Sequence, residues 1–303
     1  NGLFVRTTKE ELNLPKLEII EIPIEQSEVQ RQIYSALKRS YRGSFLLNMD
    51  QEAHFRKRGR AVMSLIGAST NPGLLAGMQN ESAFLNLKWP PKELINNSSL
   101  IEAVENYVSI ETPPKYKWLI NFVDEATKRQ EKVLVWSSLV GNLKAIERLL
   151  KPYNPSMVFG GTSSDDRKNA ILKFKNDESC KVLITNPQTL GEGISLHKVC
   201  HHAVYIDRTY NAGQYLQSLD RIHRLGLPKE QVTKVYILKS QNTVDQTISI
   251  RLETKVSRMA NVLNDHGLVR DSLPNMDEGD IFDSYSIDED DVKKLMEHLE
   301  SND

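Results

Sequence analysis

The sequence predicts an α/β fold, in which helices cover both faces of a parallel β-sheet and a mainly helical region comes first. Two observations support this prediction. From about residue 115 to 263, short apolar segments typical of strands alternate with amphipathic segments typical of helices. The strand segments are apolar at nearly every position, as in strands that helices bury on both faces.

The N-terminal region, 1–112, is predicted to be mainly helical. It contains one extended segment with alternating apolar residues, 17–24. Helical periodicity then follows in three segments, at about 29–37, 51–66 and 91–108. Asn71-Pro72-Gly73 ends the second helical segment, and Thr112-Pro113-Pro114 marks the boundary to the next region.

Beyond this boundary, strands and helices are predicted to alternate. We predict strands at 133–136, 157–159, 182–184, 203–206 and 232–238. We predict helices at 115–129, 139–150, 163–175, 211–222 and 243–263. Ser163 and Asp166 have the spacing of a helix-capping box. Because parallel sheets bind ligands beyond the carboxyl ends of their strands, the loops after 159, 184 and 206 are candidate sites.

Charge is unevenly distributed along the chain. The net charge is −1, but residues 271–303 contain 12 acidic residues and 2 lysines, which leaves +9 for the rest. A basic body with an acidic tail fits a polyanion-binding protein, although a solvated tail without a partner fits equally well. We therefore predict three regions, 1–112, 113–268 and the acidic tail 269–303, with one short helix at 290–299.

Composition also argues against several protein classes. Two cysteines, Cys180 and Cys200, are too few for a disulfide framework and favour a reducing compartment. No apolar run reaches the roughly 18 residues of a membrane span, and no signal-peptide pattern opens the sequence. We expect an intracellular protein, cytoplasmic in a prokaryote or nuclear in a eukaryote. His197, Cys200, His201 and His202 do not predict a metal site, because adjacent strand residues point to opposite faces.

The segment 217–226 carries the clearest chemical signal. It reads Gln-Ser-Leu-Asp-Arg-Ile-His-Arg-Leu-Gly, which places Arg221 and Arg224 on one side of a helix or turn. Planar guanidinium groups suit phosphate oxygens and the charge that develops in phosphoryl transfer. Two surface arginines beside Asp220 would give the same pattern, so the segment alone leaves both interpretations open.

A second informative segment, 182–196, is a strand followed by a loop with glycines. Thr185 stands at the end of the strand, and Gly191 and Gly193 would let backbone N–H groups approach an anion closely. A plain tight turn uses glycines in the same way, so this segment is also ambiguous by itself.

Together, the two segments resemble motifs V and VI of Swi/Snf-type superfamily 2 helicase-like ATPases. The resemblance implies a RecA-like second motor lobe, the helicase C-terminal lobe, preceded by a helical protrusion. It also implies that Arg221 and Arg224 act as arginine fingers on ATP. The residues that would support the ATP site are Gln217, Asp220, Gly191 and Gly193.

The resemblance extends to weaker segments in the same order, from about residue 3 to 263. Residues 4–16 resemble the connector from the first lobe, and 69–75 resemble the helical protrusion. The turn at 160–163, followed by Arg167, resembles a turn that holds a DNA phosphate in this family. The residues that would contact DNA are Ser137, Gly161, Thr162, Ser163, Thr185 and Glu192.

These resemblances imply the second motor lobe of an ATP-dependent translocase or remodeller of double-stranded DNA. ATP and Mg²⁺ would be bound mainly by the first lobe, because the sequence has no Gly-x-x-x-x-Gly-Lys-[Ser/Thr] or Asp-Glu-x-His motif. The chain alone would be inactive as an ATPase. The expected partners are double-stranded DNA, the first lobe and a protein that binds the acidic tail, with no membrane. The alternatives are a non-catalytic nucleic-acid or protein-binding module and a lobe of a strand-separating helicase.

Overall fold

The computed structural model describes residues 15–45, 51–76, 98–190, 194–263 and 287–301. Its strands are β1 (Leu17–Ile24), β2 (Val133–Trp136), β3 (Ser156–Val158), β4 (Val182–Thr185), β5 (His202–Tyr205) and β6 (Thr233–Ser240). Its long helices are α1 (Glu28–Phe45), α2 (Gln51–Thr70), α3 (Ser98–Ile110), α4 (Pro114–Lys128), α5 (Val140–Leu149), α6 (Ser164–Asn176), α7 (Ala212–Leu219), α8 (Val244–Leu263) and α9 (Glu289–Glu300).

The six described strands form one parallel sheet in the order β1-β6-β5-β2-β4-β3. Every pair of neighbouring strands is parallel. The predicted α/β class with a parallel sheet is therefore confirmed. β2 and β4 are buried at every position, because helices cover both faces of the sheet.

Alternate side chains of each strand enter two separate cores. Leu134 and Trp136 of β2 pack on one face, against Phe174 of α6 and Leu219 of α7. Val133 and Val135 pack on the other face, and Leu119 of α4 and Leu143 of α5 cover them. The two-residue period of a strand thus fixes which helices lie on each face.

The N-terminal region contributes both to the sheet and to a third core. β1, within the predicted region 1–112, pairs along its full length with β6, so the sheet crosses the predicted boundary. Helices α1, α2 and α3 pack with α8 and α9 in a separate apolar cluster. The described part of the acidic tail is therefore a docked helix, Glu289–Glu300, at the predicted position.

Helix α7 ends three residues before the predicted end at 222. Asp220 is its C-cap, and the next residues form turns. Ile222 is fully buried, and the Arg221 carbonyl accepts a hydrogen bond from the Leu196 amide, at 2.8 Å. The Arg221 carbonyl thus bonds to the loop before β5 and not to a later residue of a continued helix. In the described ranges, no helix is long and apolar enough to cross a membrane.

Candidate functional site

At the carboxyl edge of the sheet, a buried carboxylate joins the ends of β2 and β5. Asp207 is 3% exposed and accepts hydrogen bonds from the Ser137 hydroxyl, the Ser138 amide at 2.6 Å and the Asn142 side chain at 2.9 Å. Burial raises the pKa of this carboxyl, against the opposing effect of its donors and of nearby Lys115. The network fixes the loops that follow both strands.

Ser137 and Thr185, two predicted DNA contacts, lie inside this edge of the sheet. Both side chains are fully buried. The Ser137 hydroxyl donates to Asp207 and accepts from the Leu139 amide at 3.2 Å. Their predicted contact with DNA disagrees with this geometry, because neither hydroxyl can reach a phosphate outside the protein. A polar residue at a strand end gives no sign in sequence of how deeply it lies.

The predicted turn before α6 is exposed at the same edge. Ser163 is the N-cap of α6 and accepts from the Asp166 amide at 3.2 Å, which confirms the predicted cap. The Thr162 hydroxyl accepts from the Phe159 amide at 3.0 Å, which leaves its own O–H free to donate. Gly161 lies against the Phe159 ring, where a Cβ would approach to 2.9 Å. A side chain at 161 would therefore push the ring aside.

Arg167 adds a cation one turn into α6. Its Nε is buried and has no hydrogen-bond partner among the described residues. Asp165 and Asp166 in the first turn of α6 oppose this positive charge. Because these two aspartates oppose the charge of Arg167, electrostatic attraction alone would not hold an anion at this turn. The anion would be held by hydrogen bonds from N–H and O–H groups and from the Arg167 guanidinium.

The arginine turn, residues 220–226, lies at the opposite edge of the sheet. The His223 ring Nε2 is 2.8 Å from the carbonyl oxygen of Pro15. Pro15 precedes β1, and all strands are parallel, so this contact places the turn at the amino edge. The structure therefore separates the predicted ATP-site residues Arg221 and Arg224 from the predicted DNA contacts at the carboxyl edge.

The loop between β4 and β5 joins these two edges. It follows Thr185, on the carboxyl edge, and the amide of Leu196 within it donates to the Arg221 carbonyl. Gly191, Glu192 and Gly193 lie within this loop but outside the described residues. The loop that leaves the carboxyl edge is therefore joined to the arginine turn by a hydrogen bond.

The four described ATP-site residues differ in exposure. Arg221 is 7% exposed, whereas Arg224 and Gln217 are half-buried. Asp220 caps the end of α7 and is also half-buried. α7 begins at the N-cap Asn211, whose side chain accepts from the Gln214 amide at 3.0 Å. Gln217 lies within this short capped helix, and Arg221 and Arg224 follow it in the turn.

The surroundings of the turn are positively charged. The pKa of His197 is lowered first by burial and then by the charges of Lys198, Arg224 and Lys175. Gly226 has φ +99°, and a Cβ there would lie 3.3 Å from His197 Nε2. A glycine therefore lets the turn close against His197 with Arg224 nearby. Such an environment favours an anionic ligand.

Sequence reasoning missed a buried ion pair below the carboxyl edge. Lys115 is 1% exposed, and its Nζ donates to Asp245 at 2.6 Å and to the Ile206 carbonyl at 2.7 Å. Asp245 also accepts from Ser69 of α2 at 3.1 Å. The pair thus ties the helical region to the sheet. Its residues are far apart in sequence, and an isolated lysine in an amphipathic helix normally indicates a solvated position.

The four candidate metal ligands of the sequence lie close together without forming a site. Burial raises the pKa of the Cys200 thiol to about 12, so it is not poised as a thiolate ligand. Among the residues that the structure describes, no group of three or more His, Cys, Asp or Glu side chains could hold a metal ion.

Comparison with known families identifies the central part of the chain. Residues 114–226 match the family model of the helicase conserved C-terminal domain. The human lymphoid-specific helicase is 26% identical over 252 residues, which cover 82% of this chain and 27% of that protein. The human TATA-binding protein-associated factor 172 is 27% identical over 171 residues, or 55% of this chain and 9% of that protein. The chain thus spans about a quarter or less of these relatives.

Solved structures agree with the fold. The Sulfolobus solfataricus SWI2/SNF2 ATPase C-terminal domain superposes with a TM-score of 0.56 at 16% identity, covering 92% of this chain and 98% of that one. The ATPase core of the same organism, solved in complex with double-stranded DNA, gives a TM-score of 0.53 at 16% identity. That match covers 91% of this chain and 50% of the core. The parallel sheet thus shares its fold with the SWI2/SNF2 ATPase C-terminal domain.

Proposed function

We propose that this chain, which contains a helicase C-terminal domain of the SWI2/SNF2 type, is the second motor lobe of an ATP-dependent translocase on double-stranded DNA. In this proposal Arg221 and Arg224 complete an ATP site whose other half, including the Mg²⁺ site, belongs to the first lobe. Such arginines contribute about 10³ to 10⁵ in rate, but only on a nucleotide that other groups hold.

One observation carries the proposal. The loop that begins at the carboxyl edge contacts the arginine turn through the hydrogen bond from the Leu196 amide to the Arg221 carbonyl. A chain that contacts DNA at one edge and ATP at the other needs a connection of this kind.

The proposed DNA contacts at the carboxyl edge are those that the structure leaves accessible. They are the Thr162 hydroxyl, the exposed Ser163 and the Arg167 guanidinium. Contacts to phosphate position a duplex without reading its sequence. Binding should therefore be independent of sequence and should weaken as salt concentration rises.

The decisive experiment measures ATP hydrolysis by the full-length protein, with and without duplex DNA. The variants are Arg221→Ala, Arg224→Ala and the matched control Arg148→Ala, which removes an exposed arginine at the end of α5. We expect DNA-stimulated hydrolysis to fall by about 10³-fold or more in the first two variants. The control should retain wild-type hydrolysis.

Two other outcomes would reject the proposal in different ways. Hydrolysis that survives both arginine substitutions would move the catalytic arginines elsewhere. A full-length protein that binds duplex DNA but never hydrolyses ATP would instead favour a non-catalytic binding module. Separation of strands by the wild-type protein would favour a helicase.

A further inference from the structure

His223 lies between the two arginines of the turn, and its side chain is buried against the start of the sheet. It is 7% exposed, and its Nε2 lies 2.8 Å from the Pro15 carbonyl oxygen. A carbonyl oxygen only accepts, so Nε2 carries the hydrogen and donates. The His223 ring therefore makes a directional bond to the backbone that precedes β1.

Pro15 is the last residue before the chain joins the sheet. The next carbonyl, that of Lys16, accepts from the Thr233 amide at 3.0 Å, and β1 then pairs with β6 from Leu17 onward. Residues 1–14 lie outside the described part of the chain, and their sequence resembles a connector to the first lobe. His223 thus binds the point at which this segment meets the sheet.

The backbone of the turn is held firmly on its other side. The His223 amide donates to the Leu219 carbonyl at 3.0 Å, and Ile222 is fully buried in the sheet core. The turn therefore has little freedom to absorb a displacement of the His223 ring. A displacement of Pro15 would pull on this ring through the hydrogen bond, and the ring would transmit the displacement to the backbone that carries Arg221 and Arg224.

We propose that His223 is a positioning residue that couples the segment before β1 to the arginine turn. The inference rests on the proposed function, because it assumes that the two arginines act on ATP. His223 itself touches no substrate. Its role is to fix the position of the arginine turn relative to β1, the strand through which the first lobe would be connected.

The test compares two polar replacements, so that loss of folding cannot explain the result. In His223→Gln the side-chain amide nitrogen can take the place of Nε2, whereas in His223→Asn it is too short to reach Pro15. Both variants keep a neutral polar side chain. We expect His223→Asn to lower the DNA-stimulated kcat for ATP by about tenfold to a hundredfold, the cost of displacing reacting groups by about 1 Å. His223→Gln should retain most of it.

The KM for ATP separates positioning from loss of binding. We expect it to change by less than about twofold in His223→Asn, because His223 contacts no nucleotide in this proposal. His201→Gln is the matched control. It replaces another histidine near the amino edge, one that is half-buried and whose Nδ1 has no hydrogen-bond partner among the described residues. It should leave kcat unchanged.

Each other result overturns a defined claim. Equal kcat in His223→Asn and His223→Gln would overturn the positioning role, even if Arg221→Ala is inactive and the proposed function stands. A decrease in kcat of the same size in His201→Gln would also overturn it, because the effect would then follow from packing at this edge. Full hydrolysis by Arg221→Ala would reject the proposed function itself.

Discussion

The Ser137 hydroxyl shows how one side chain can support two loops. It donates to Asp207 and accepts from the Leu139 amide, inside a fully buried site. Ser137→Ala removes both bonds and leaves the Leu139 amide without its partner. We expect it to lower the free energy of unfolding by about 1–3 kcal/mol, measured by urea titration of the isolated chain.

The same variant tests whether Ser137 contacts DNA. Because the side chain is buried, duplex affinity of the folded variant should equal that of the wild type. Thr162→Ala provides the comparison, since its hydroxyl is partly exposed at the same edge and should contribute to binding. A loss of affinity in Ser137→Ala at a temperature where it is fully folded would restore the DNA contact.

The Lys115–Asp245 pair gives a second prediction at the residue scale. Both groups are buried, so Lys115→Met leaves the Asp245 carboxylate without its cation. We expect a loss of about 3–5 kcal/mol in the free energy of unfolding, from the cost of an unpaired buried charge. Adding Asp245→Asn should recover part of this loss. A double variant as unstable as the sum of both single variants would show that the two groups do not interact.

At the scale of elements, helix α9 is held by an unusual concentration of charge. Arg251 of α8 is 5% exposed and pairs with Asp288 at 2.8 Å, Asp291 at 2.6 Å and Asp290 at 3.4 Å. Asp291 is fully buried, and Leu295 and Leu299 enter the helical core. The helix is thus anchored by both ion pairs and apolar contacts.

Arg251→Leu should release this helix. It leaves Asp291 buried without Arg251, although Lys255 still contacts the same carboxylate. We expect faster amide hydrogen exchange across 289–301 and a loss of about 3 kcal/mol of stability. Arg258→Ala removes an exposed arginine, 64% accessible, that pairs with Asp290. It should change stability by less than about 1 kcal/mol, and equal effects of the two variants would show that burial of the pair is irrelevant.

The docked helix also shows what sequence can and cannot predict about elements. Its apolar spacing and its acidic N-cap residue Asp288 are local features, and the helix predicted at 290–299 agrees with it within one residue at each end. Its docking depends on Arg251, 37 to 40 residues away, and no local pattern signals that contact. In the same way, periodicity predicted α7 but not its early end, beyond which the Arg221 carbonyl accepts a hydrogen bond from Leu196.

At the scale of the whole molecule, the sheet separates the candidate site into two edges. The apolar strand segments predicted the sheet, because each segment by itself shows the continuous apolar pattern of a strand that is buried on both faces. The positions of the arginine turn and of Thr162 on opposite edges depend on chain direction through α7 and the loop 186–201. The order of the motifs along the sequence does not indicate on which edge of the sheet each motif lies. The candidate residues were therefore predictable as a set, while their grouping was not.

The stability of the whole lobe should depend on pH through three histidines near the amino edge. Burial lowers the pKa of His197, His201 and His202 below the ordinary value of 6.5, although contact with Glu131 partly opposes this for His202. The unfolded chain then binds more protons than the folded chain as pH falls below about 7. This part of the stability is complete above the ordinary pKa and is lost as pH falls from there towards the folded pKa values.

We therefore expect the free energy of unfolding, measured in urea, to decrease between pH 7.5 and pH 5.5. Replacing all three histidines with Gln should flatten this dependence, because Gln does not titrate. Asp207 acts in the opposite direction, since its raised pKa favours the folded state as pH falls from that raised pKa towards the ordinary value of 3.8. An unchanged slope in the triple variant would assign the pH dependence to carboxyl groups and exclude the histidines as its source.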